Sequence, residues 1–392
     1  MQTAPFSFVR GIASEACEPP RSRGLLTRMV RCCISLLLLA AAQAHAFSLL
    51  TYNVAGNGTT NWSTNTAQVQ AIGRQLRFLN PDIITFNEIP RTNLWEMANW
   101  VKAFMPGFYL ATNSAGDGFI NNCIASRFPI TRSKSWLHSS NLDPFGYTNS
   151  NFTRDLFEAE IDVPGFAQHV HVFVAHLKAY SDAESAAKRA AEASAISNWF
   201  VTNIVANFST RAYVLCGDMN EDVASPPSTS GHPIERIVNS FTRLQLITPR
   251  NLITGKEDTY SSSSPSERID YIIPSTNLVP LLATSFVFRS SLLTPTPAGL
   301  QKTDDKIASD HLPVFATFIG NDAPLRLIST VSNQAIRLSW NSTTQRIYAV
   351  EASTNLVSWK PLVTNLLAGS TNVTWSTNWT AAPQFFRVYR VP

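Results

Sequence analysis

With 392 residues, 44% of them hydrophobic, the chain is long for a single hydrophobic core, and two domains are expected. The formal charge is +4, but five Arg against two Glu in residues 1–46 and six basic against two acidic side chains in 321–392 leave 47–320 with 20 basic and 23 acidic residues, a net −3. A central region of that sign lacks the broad basic footprint of a protein that grips long duplex DNA, although a bound divalent cation would add local positive charge.

At the amino end, Arg28 and Arg31 precede the apolar run 34–42, and Ala44-His45-Ala46 follows. A basic start, a short apolar core and an Ala-x-Ala site predict a secretory signal peptide over 1–46, cleaved before Phe47. The run is too short for a membrane anchor, and no internal run is long enough to span a bilayer. Residues 29–46 form a complete signal by themselves, so Met29 is the expected true start. The mature protein is then secreted or periplasmic. Cys17, Cys32 and Cys33 fall in this segment. Cys123 and Cys216 remain in apolar, strand-like contexts, expected as buried free thiols with one disulfide as the alternative.

Residues 47–54 read as an apolar strand ending at Asn53, before a Gly/Asn-rich loop. Val69, Ile72, Leu76 and Leu79 recur at helical spacing, and Asn80-Pro81 stops that helix. The next strand, 82–89, carries a lone acid, Glu88, inside an apolar run, where an acid is rare unless paired or bound to metal. A second helix is expected over 94–104, then strands at 122–130, broken by Pro129, and at 157–163, which alternates like an exposed hairpin strand. The run 169–175 ends in His176-Leu177-Lys178; His169 and His171 alternate with its apolar face and are expected toward solvent or a covering helix. Ala186, Ala190, Ala193, Ile196 and Phe200 form one stripe of a helix over 182–203.

The central stretch is 213–220, YVLCGDMN. A buried strand stops at a tight turn and presents Asp218 and Asn220 side by side at its carboxyl end, where sheet-based sites are built. Asp218 offers a hard oxygen ligand or a base, and Asn220 a neutral donor to a phosphate oxygen. A strand ending in Gly-Asp with a turn-forming Asn is also common structure. His232 sits among turn formers in 225–233, as a loop residue. The last two signals, RIDYI at 268–272 and SDHLPV at 309–314, place the polar cluster before the strand. These strands must therefore run opposite to the earlier ones if all clusters share one rim.

Asn53, Glu88, His176 with Lys178, Asp218 with Asn220, Asp270, and Asp310 with His311 each have a bland reading, such as a turn for Asn53 or a salt bridge from Arg268 to Asp270. Jointly, and above all through GDMN, RIDYI and SDHLPV, residues 47–319 resemble the endonuclease/exonuclease/phosphatase family, which includes DNase I-like nucleases, neutral sphingomyelinases and inositol polyphosphate phosphatases. The resemblance implies an α/β fold, a four-layered sandwich of two central mixed sheets flanked by helices, with metal-assisted phosphoester hydrolysis at one edge. It implies Glu88, with Asn53 and Asp310, as holders of Mg²⁺, with Mn²⁺ or Ca²⁺ as alternatives. Asp218 and Asn220 would place water and phosphate, His311 would act as base or transition-state partner oriented by Asp270, and His176 would stabilise the phosphorane or protonate the leaving oxygen. Lys178, Arg127 and Arg154 are the candidate phosphate contacts, with surface or structural roles for the two arginines as the alternative. Two departures stand out. Ala55 replaces the acid of the abasic-site branch, and Asn87 replaces the usual Gln before the metal Glu with a shorter amide.

The implied function is a phosphodiesterase, foremost a nuclease, with nucleic acid or a phospholipid headgroup as substrate. A sphingomyelinase-like or inositol-phosphate phosphatase activity is the alternative, and a non-catalytic surface-binding protein the reading from another class. The catalytic domain is expected over 47–320. Residues 321–392, with few acids and short β-like runs between polar turns, read as a fibronectin-like β-sandwich accessory domain. Its Trp340, Trp359, Trp375 and Trp379 suit a small core better than a ligand platform for carbohydrate or cell surface, and no stable protein partner is expected.

Overall fold

The structure, a computed structural model, describes residues 46–113, 115–166, 168–207, 210–226, 231–319 and, within 327–391, all but 333–334, 343–346, 355–357, 371 and 379–384. The predicted leader, apart from Ala46, and Trp379 lie outside the described residues.

In chain order the first part comprises β1 (Ala46–Asn53), α1 (Ala67–Leu79), β2 (Ile83–Pro90), α2 (Glu96–Phe104), β3 (Tyr109–Thr112), β4 (Ile120–Ser126), β5 (Ile130–Trp136), β6 (Leu156–Ile161), β7 (Val170–His176), α3 (Ala183–Trp199), β8 (Tyr213–Asp218), α4 (Pro233–Ile237), β9 (Asp270–Pro274), β10 (Leu282–Val287), α5 (Asp304–Ala308) and β11 (Val314–Ile319). One sheet has the order β10-β11-β1-β2-β4-β3 and the other β5-β6-β7-β8-β9. Each is mixed: β1 and β2 are parallel, as are β7 and β8, and every other neighbour is antiparallel.

Alternation along the strands builds the layers. Leu49, Ile83, Ile124 and Val314 of the first sheet meet Val172, Val174, Val214 and Ile272 of the second in a central core. The opposite faces take the helices: Leu50, Tyr52 and Phe86 pack on Ile72, Leu76 and Trp100 of α1 and α2, while Phe173, Tyr213 and Leu215 pack on Ile196 and Trp199 of α3 and Ile234 of α4. The four layers are those expected, including the stripe Ala186, Ala190, Ala193, Ile196 and Phe200, all buried. Helix α1 starts where the Thr66 side chain accepts from Val69 N and stops at Asn80, which is left-handed (φ +47), just before Pro81. Asp182 caps α3 by accepting from Ser185 N.

The sequence misplaces β6. Its alternation reads as an exposed hairpin strand, and it pairs antiparallel with both β5 and β7, but it is buried between them, and its polar residue Glu158 is 1% exposed. Arg132, Trp136 and His171 all reach that carboxylate, at 3.0, 2.7 and 2.6 Å. His171 is thereby buried too, with Arg211 Nη1 donating to its Nε2 at 3.0 Å. His169, in contrast, is half-exposed and pairs with Glu160. His232 is buried at the start of α4 with its Nδ1 3.0 Å from Glu221 Oε1, not a free loop residue. Cys123 and Cys216 are free buried thiols.

The carboxyl-terminal strands are β12 (Leu327–Ser332), β13 (Ala335–Asn341), β14 (Ile347–Ser353), β15 (Lys360–Leu367), β16 (Asn372–Asn378) and β17 (Phe385–Arg390). They form two antiparallel three-stranded sheets, β12-β13-β16 and β15-β14-β17, that share a core of Ile336, Leu338, Trp340, Tyr348 and Val350. Strands β12 and β15 were not foreseen. Trp340 is buried in that core, Trp375 packs against it, and the Trp359 ring lies under Arg387, so these tryptophans form no shared platform.

Candidate active site

Strand direction brings the polar clusters to one rim. Asn53 and Asn87 are register partners across the parallel pair β1/β2, with Glu88 next along. His176 and Asp218 pair across β7/β8, and antiparallel β9 begins with Asp270 opposite Asp218. Antiparallel β11 begins opposite Thr51, so 309–311 precede it at the same rim. The clusters that follow strands and those that precede them meet, as the reversed order at 270 and 310 requires.

Local backbone aims them. The β2/β4 register shifts between Phe86 and Ile89, and Glu88 sits at φ +63. This bulge turns the Glu88 side chain, 25% exposed, into the cleft from an otherwise buried strand. Gly217 has φ +123, and a Cβ there would strike the Ala175 carbonyl and lie 3.0 Å from Asn87 Oδ1. Only glycine fits here between the Ala175 carbonyl of its own sheet and the Asn87 amide of the other. Ser309 Oγ donates to Asn53 O at 2.7 Å and accepts from His311 N at 3.0 Å, tying the last segment to β1. Behind it, buried Asp304 and Asp305 of α5 pair with Arg74 (2.5 Å) and Arg289 (3.3 Å).

At the centre, Asn53 Nδ2 donates to Glu88 Oε1 at 3.0 Å and to Asp218 Oδ2 at 2.9 Å, while its Oδ1 accepts from Ala55 N. Asn53 therefore reaches the acids through its nitrogen, as a bridge between them, and not as an oxygen ligand. His176 Nε2 lies 3.6 Å from Asp218 Oδ2 and 3.8 Å from Glu88 Oε1, and its buried Nδ1 has no hydrogen-bond partner. His311 Nδ1 lies 2.8 Å from Asp270 Oδ2; its Nε2 faces Asp218 at 3.7 Å and the half-exposed Asp310 at 3.8 Å. The Tyr260 ring packs 5.0 Å from the His311 ring. Asn220, left-handed at φ +53, donates its backbone N–H to Asp218 Oδ1 and its amide to Leu177 O. That amide is turned back onto the β7 loop.

Burial and charge set the protonation. Burial alone would lower the His311 imidazole, but the carboxylates of Asp270, Asp218 and Asp310 outweigh it and push it up to about 10. Burial, with Asp270 adding to it, raises Asp218 to about 7 against the opposing pull of His311. Burial holds His176 well below the usual histidine range, helped by Arg154 and His311, so His176 is neutral. Burial also raises Glu88.

Among the described residues no Lys or Arg lies within ion-pair distance of Glu88. Ligand atoms of Glu88, His176 and Asp218 lie within 4.8 Å of one another, as do those of Asp218, Asp270 and His311. A partly exposed carboxylate aimed by a strained bulge, raised in pKa and lacking a cationic partner, fits a hard divalent cation. The second set is already a carboxylate–imidazole pair. Asp310 belongs to neither set.

The three basic candidates fare differently. Arg127 does not belong to the site: it follows β4, which runs antiparallel to β2, so it lies at the opposite rim, paired with Asp82 and Asn80. Arg154 is at the right rim but buried, its Nε on Asp117 and its Nη1 on the carbonyls of His176 and Leu177. Lys178 is half-buried, its ammonium over the Tyr180 ring at 4.6 Å. The salt bridge considered for Asp270 is absent; Arg268 pairs with Glu257.

Several supporting contacts escaped the sequence. Asn87 is a full bridge despite its short side chain, donating to Asn122 Oδ1 and Ala175 O and accepting from Asp218 N. Asn122 and Asn113 in turn donate to buried Asp155, which burial pushes up to about 6. From α3, Arg189 holds the carbonyls of Lys178 and Tyr180 and reaches Glu221, while Glu192 accepts from the N–H groups of Thr153 and Lys178. A charged pair three apart on the edge of an alanine stripe was the available signal. Asn87→Ala is expected to cost about 1–3 kcal/mol for each buried group it strands. Thermal unfolding, with a fall in Tm alongside lost activity, checks this; an unchanged Tm contradicts the bridge.

These features define a two-sheet α/β sandwich with a carboxylate–imidazole cleft at one rim. The chain belongs to the endonuclease/exonuclease/phosphatase family, whose model matches residues 50–311, and that family comprises phosphoester hydrolases. Among solved structures, the chain is similar to an endonuclease/exonuclease/phosphatase from Beutenbergia cavernae DSM 12333, at 16% identity over 88% of this chain and 100% of that one, with a TM-score of 0.48. It is also similar to the endonuclease/exonuclease/phosphatase from Bacteroides vulgatus, at 16% identity, 69% and 98% coverage and a TM-score of 0.49. A third is beta toxin from Staphylococcus aureus, at 18% identity, 69% and 99% coverage and a TM-score of 0.47. No curated protein matches.

Proposed function

We propose that this chain is a secreted or periplasmic, metal-dependent phosphodiesterase that cleaves a P–O bond by water attack, with nucleic acid as its substrate. The observation that carries the reading is the meeting at one rim of Glu88, His176 and Asp218 with the His311–Asp270 pair. Glu88, with Asp310 at the margin, would hold Mg²⁺, or Mn²⁺ or Ca²⁺ in its place. When bound, the cation supplies Lewis-acid stabilisation of charge on the phosphoryl oxygens.

The chain's own groups divide the remaining work. Asp218, raised to about 7, accepts a proton from the attacking water, its carboxylate aimed by Asn53 and by the Asn220 N–H. His311, charged and fixed by Asp270, stabilises the negative charge of the transition state through Nε2–H. Neutral His176 offers Nε2 to the leaving or a non-bridging oxygen. Lys178 is the candidate for an outlying phosphate. The predicted leader and the Ala-x-Ala site support export.

The test is hydrolysis by the 47–392 protein of DNA, RNA, p-nitrophenyl phosphate esters and sphingomyelin, with Mg²⁺ or with EDTA. Metal-dependent cleavage of DNA or RNA supports the proposal, and metal-dependent cleavage of sphingomyelin alone replaces nucleic acid with a phospholipid headgroup. Turnover indifferent to EDTA rejects the metal dependence, and absence of turnover on every substrate rejects the proposal in favour of a binding protein on a hydrolase scaffold.

A further inference from the structure

Three aromatic rings exposed at the catalytic rim have no part in the chemistry above. Tyr180 is 73% exposed, Phe119 69% and Tyr260 36%. They come from three separate loops. Tyr260 lies at the β9 end of the row Asp270, Asp218, His176, bridging by backbone to His311. Tyr180 lies beyond the other end, four residues past His176. Phe119 precedes Ile120, the partner of Pro90, two residues from Glu88. Its carbonyl accepts from Arg91 N, and its loop is anchored by Asp117 on Arg154, which holds the His176 carbonyl. The row spans three strands, about 10 Å.

Tyr180 is the most telling of the three. It holds φ +78, a conformation costly for a bulky side chain. The strain is imposed from inside: Arg189, 3% exposed, donates to the Tyr180 and Lys178 carbonyls while bound to Glu221, the residue after Asn220. The fold thus strains its backbone to hold an aromatic ring in solvent on the loop that follows His176. The Lys178 ammonium covers one face of that ring, and nothing in the core accounts for the other.

We propose that Tyr180 and Phe119 stack unpaired nucleobases flanking the scissile phosphate, so that the preferred substrate is single-stranded or frayed nucleic acid; this rests on the phosphodiesterase reading. An aromatic face accepts any base, and a lysine beside it suits the adjoining phosphate. The net −3 of 47–320 disfavours long duplex but is compatible with contacts made mainly by stacking. A lipid-inserting surface needs a contiguous apolar patch. Here the exposed chain neighbours of the rings form no such patch: Gly118 precedes Phe119 and the following Ile120 is buried, while Tyr180 lies between half-buried Ala179 and the exposed Ser181 and Asp182.

The test compares full-chain wild type, Tyr180→Asn, Tyr180→Phe and Phe119→Ala. Asn tolerates the left-handed conformation, so it removes the ring without adding strain. The substrates are a short single-stranded oligonucleotide, its duplex, and the same single strand with base-free residues flanking the scissile position; sphingomyelin vesicles serve as the lipid arm. Tyr180→Asn and Phe119→Ala should each lower kcat/KM on the intact single strand by about 5- to 100-fold. Both should leave the base-free strand unchanged, and Tyr180→Phe should match wild type. Equal loss on intact and base-free strands, no loss on either, wild-type preference for duplex, or loss of vesicle turnover in these variants instead overturns the inference. If wild type cleaves neither strand with metal, the reading of the site as a nucleic-acid phosphodiesterase itself fails.

Discussion

His311→Ala should lower kcat/KM for diester hydrolysis by about two to four decades, the scale of a positioned proton-transfer or charge-stabilising group. Asp270→Asn should fall in the same direction with a different pH signature. In the wild type the His311 imidazole, pushed up to about 10, is charged across the neutral range. Activity that needs the cation is lost as pH rises through that value. Without the Asp270 charge only Asp218 and Asp310 oppose burial, the imidazole loses its proton at lower pH, and the basic limb of the rate profile should move to lower pH. An unmoved basic limb would detach that limb from His311, and activity that rises as His311 deprotonates would assign the base role to His311 and free Asp218 from it. The same pair governs stability. Its folded value lies above the ordinary 6.5, so its contribution is complete below pH 6.5 and disappears as pH rises toward 10. In EDTA, the stability difference between wild type and His311→Gln, followed by denaturant unfolding, should shrink across that window.

The site was legible because its residues sit at strand ends, and a strand end is visible wherever an apolar run meets a polar cluster. Direction was legible too: Asp270 and His311 precede their strands, and β9 and β11 run antiparallel to β8 and β1. What could not be read is what depends on the partner strand. Arg127 follows an apolar run just as Glu88's neighbours do, but β4 runs the other way, so its start, Asn121 and Asn122, borders the site and its end does not. Glu158 and His171 alternate with apolar residues as solvent-facing groups would. Only the placement of β6 inside its sheet, with Arg132 and Arg211 to satisfy the pair, buries them. Arg189 and Glu192 look like ordinary helix charges until α3 is laid across the loops it pins.

Glu88→Gln should nearly abolish divalent-cation affinity and with it activity, yet leave the metal-free protein as stable as wild type or more so. The two expectations have one cause. Glu88 is held at φ +63 on a bulge, burial raises its carboxyl, and among the described residues its close side-chain contacts are an amide donor from Asn53 and the neutral His176. In the absence of a cation this is an acid the fold bears at a cost, and a neutral isostere relieves it. With a cation the balance reverses, because only the form that binds gains stability as ligand rises. Titration of Mn²⁺, read by calorimetry, should show affinity weakened by about a hundredfold or more in Glu88→Gln, a loss at least that of disturbing a ligand's support. Thermal unfolding should show Mg²⁺ raising Tm for wild type and leaving the variant unmoved. A variant that binds Mn²⁺ normally, or that melts well below wild type in EDTA, would make Glu88 a structural acid tied to Asn53, and the cation would have to be sought among Asp218, Asp270 and Asp310.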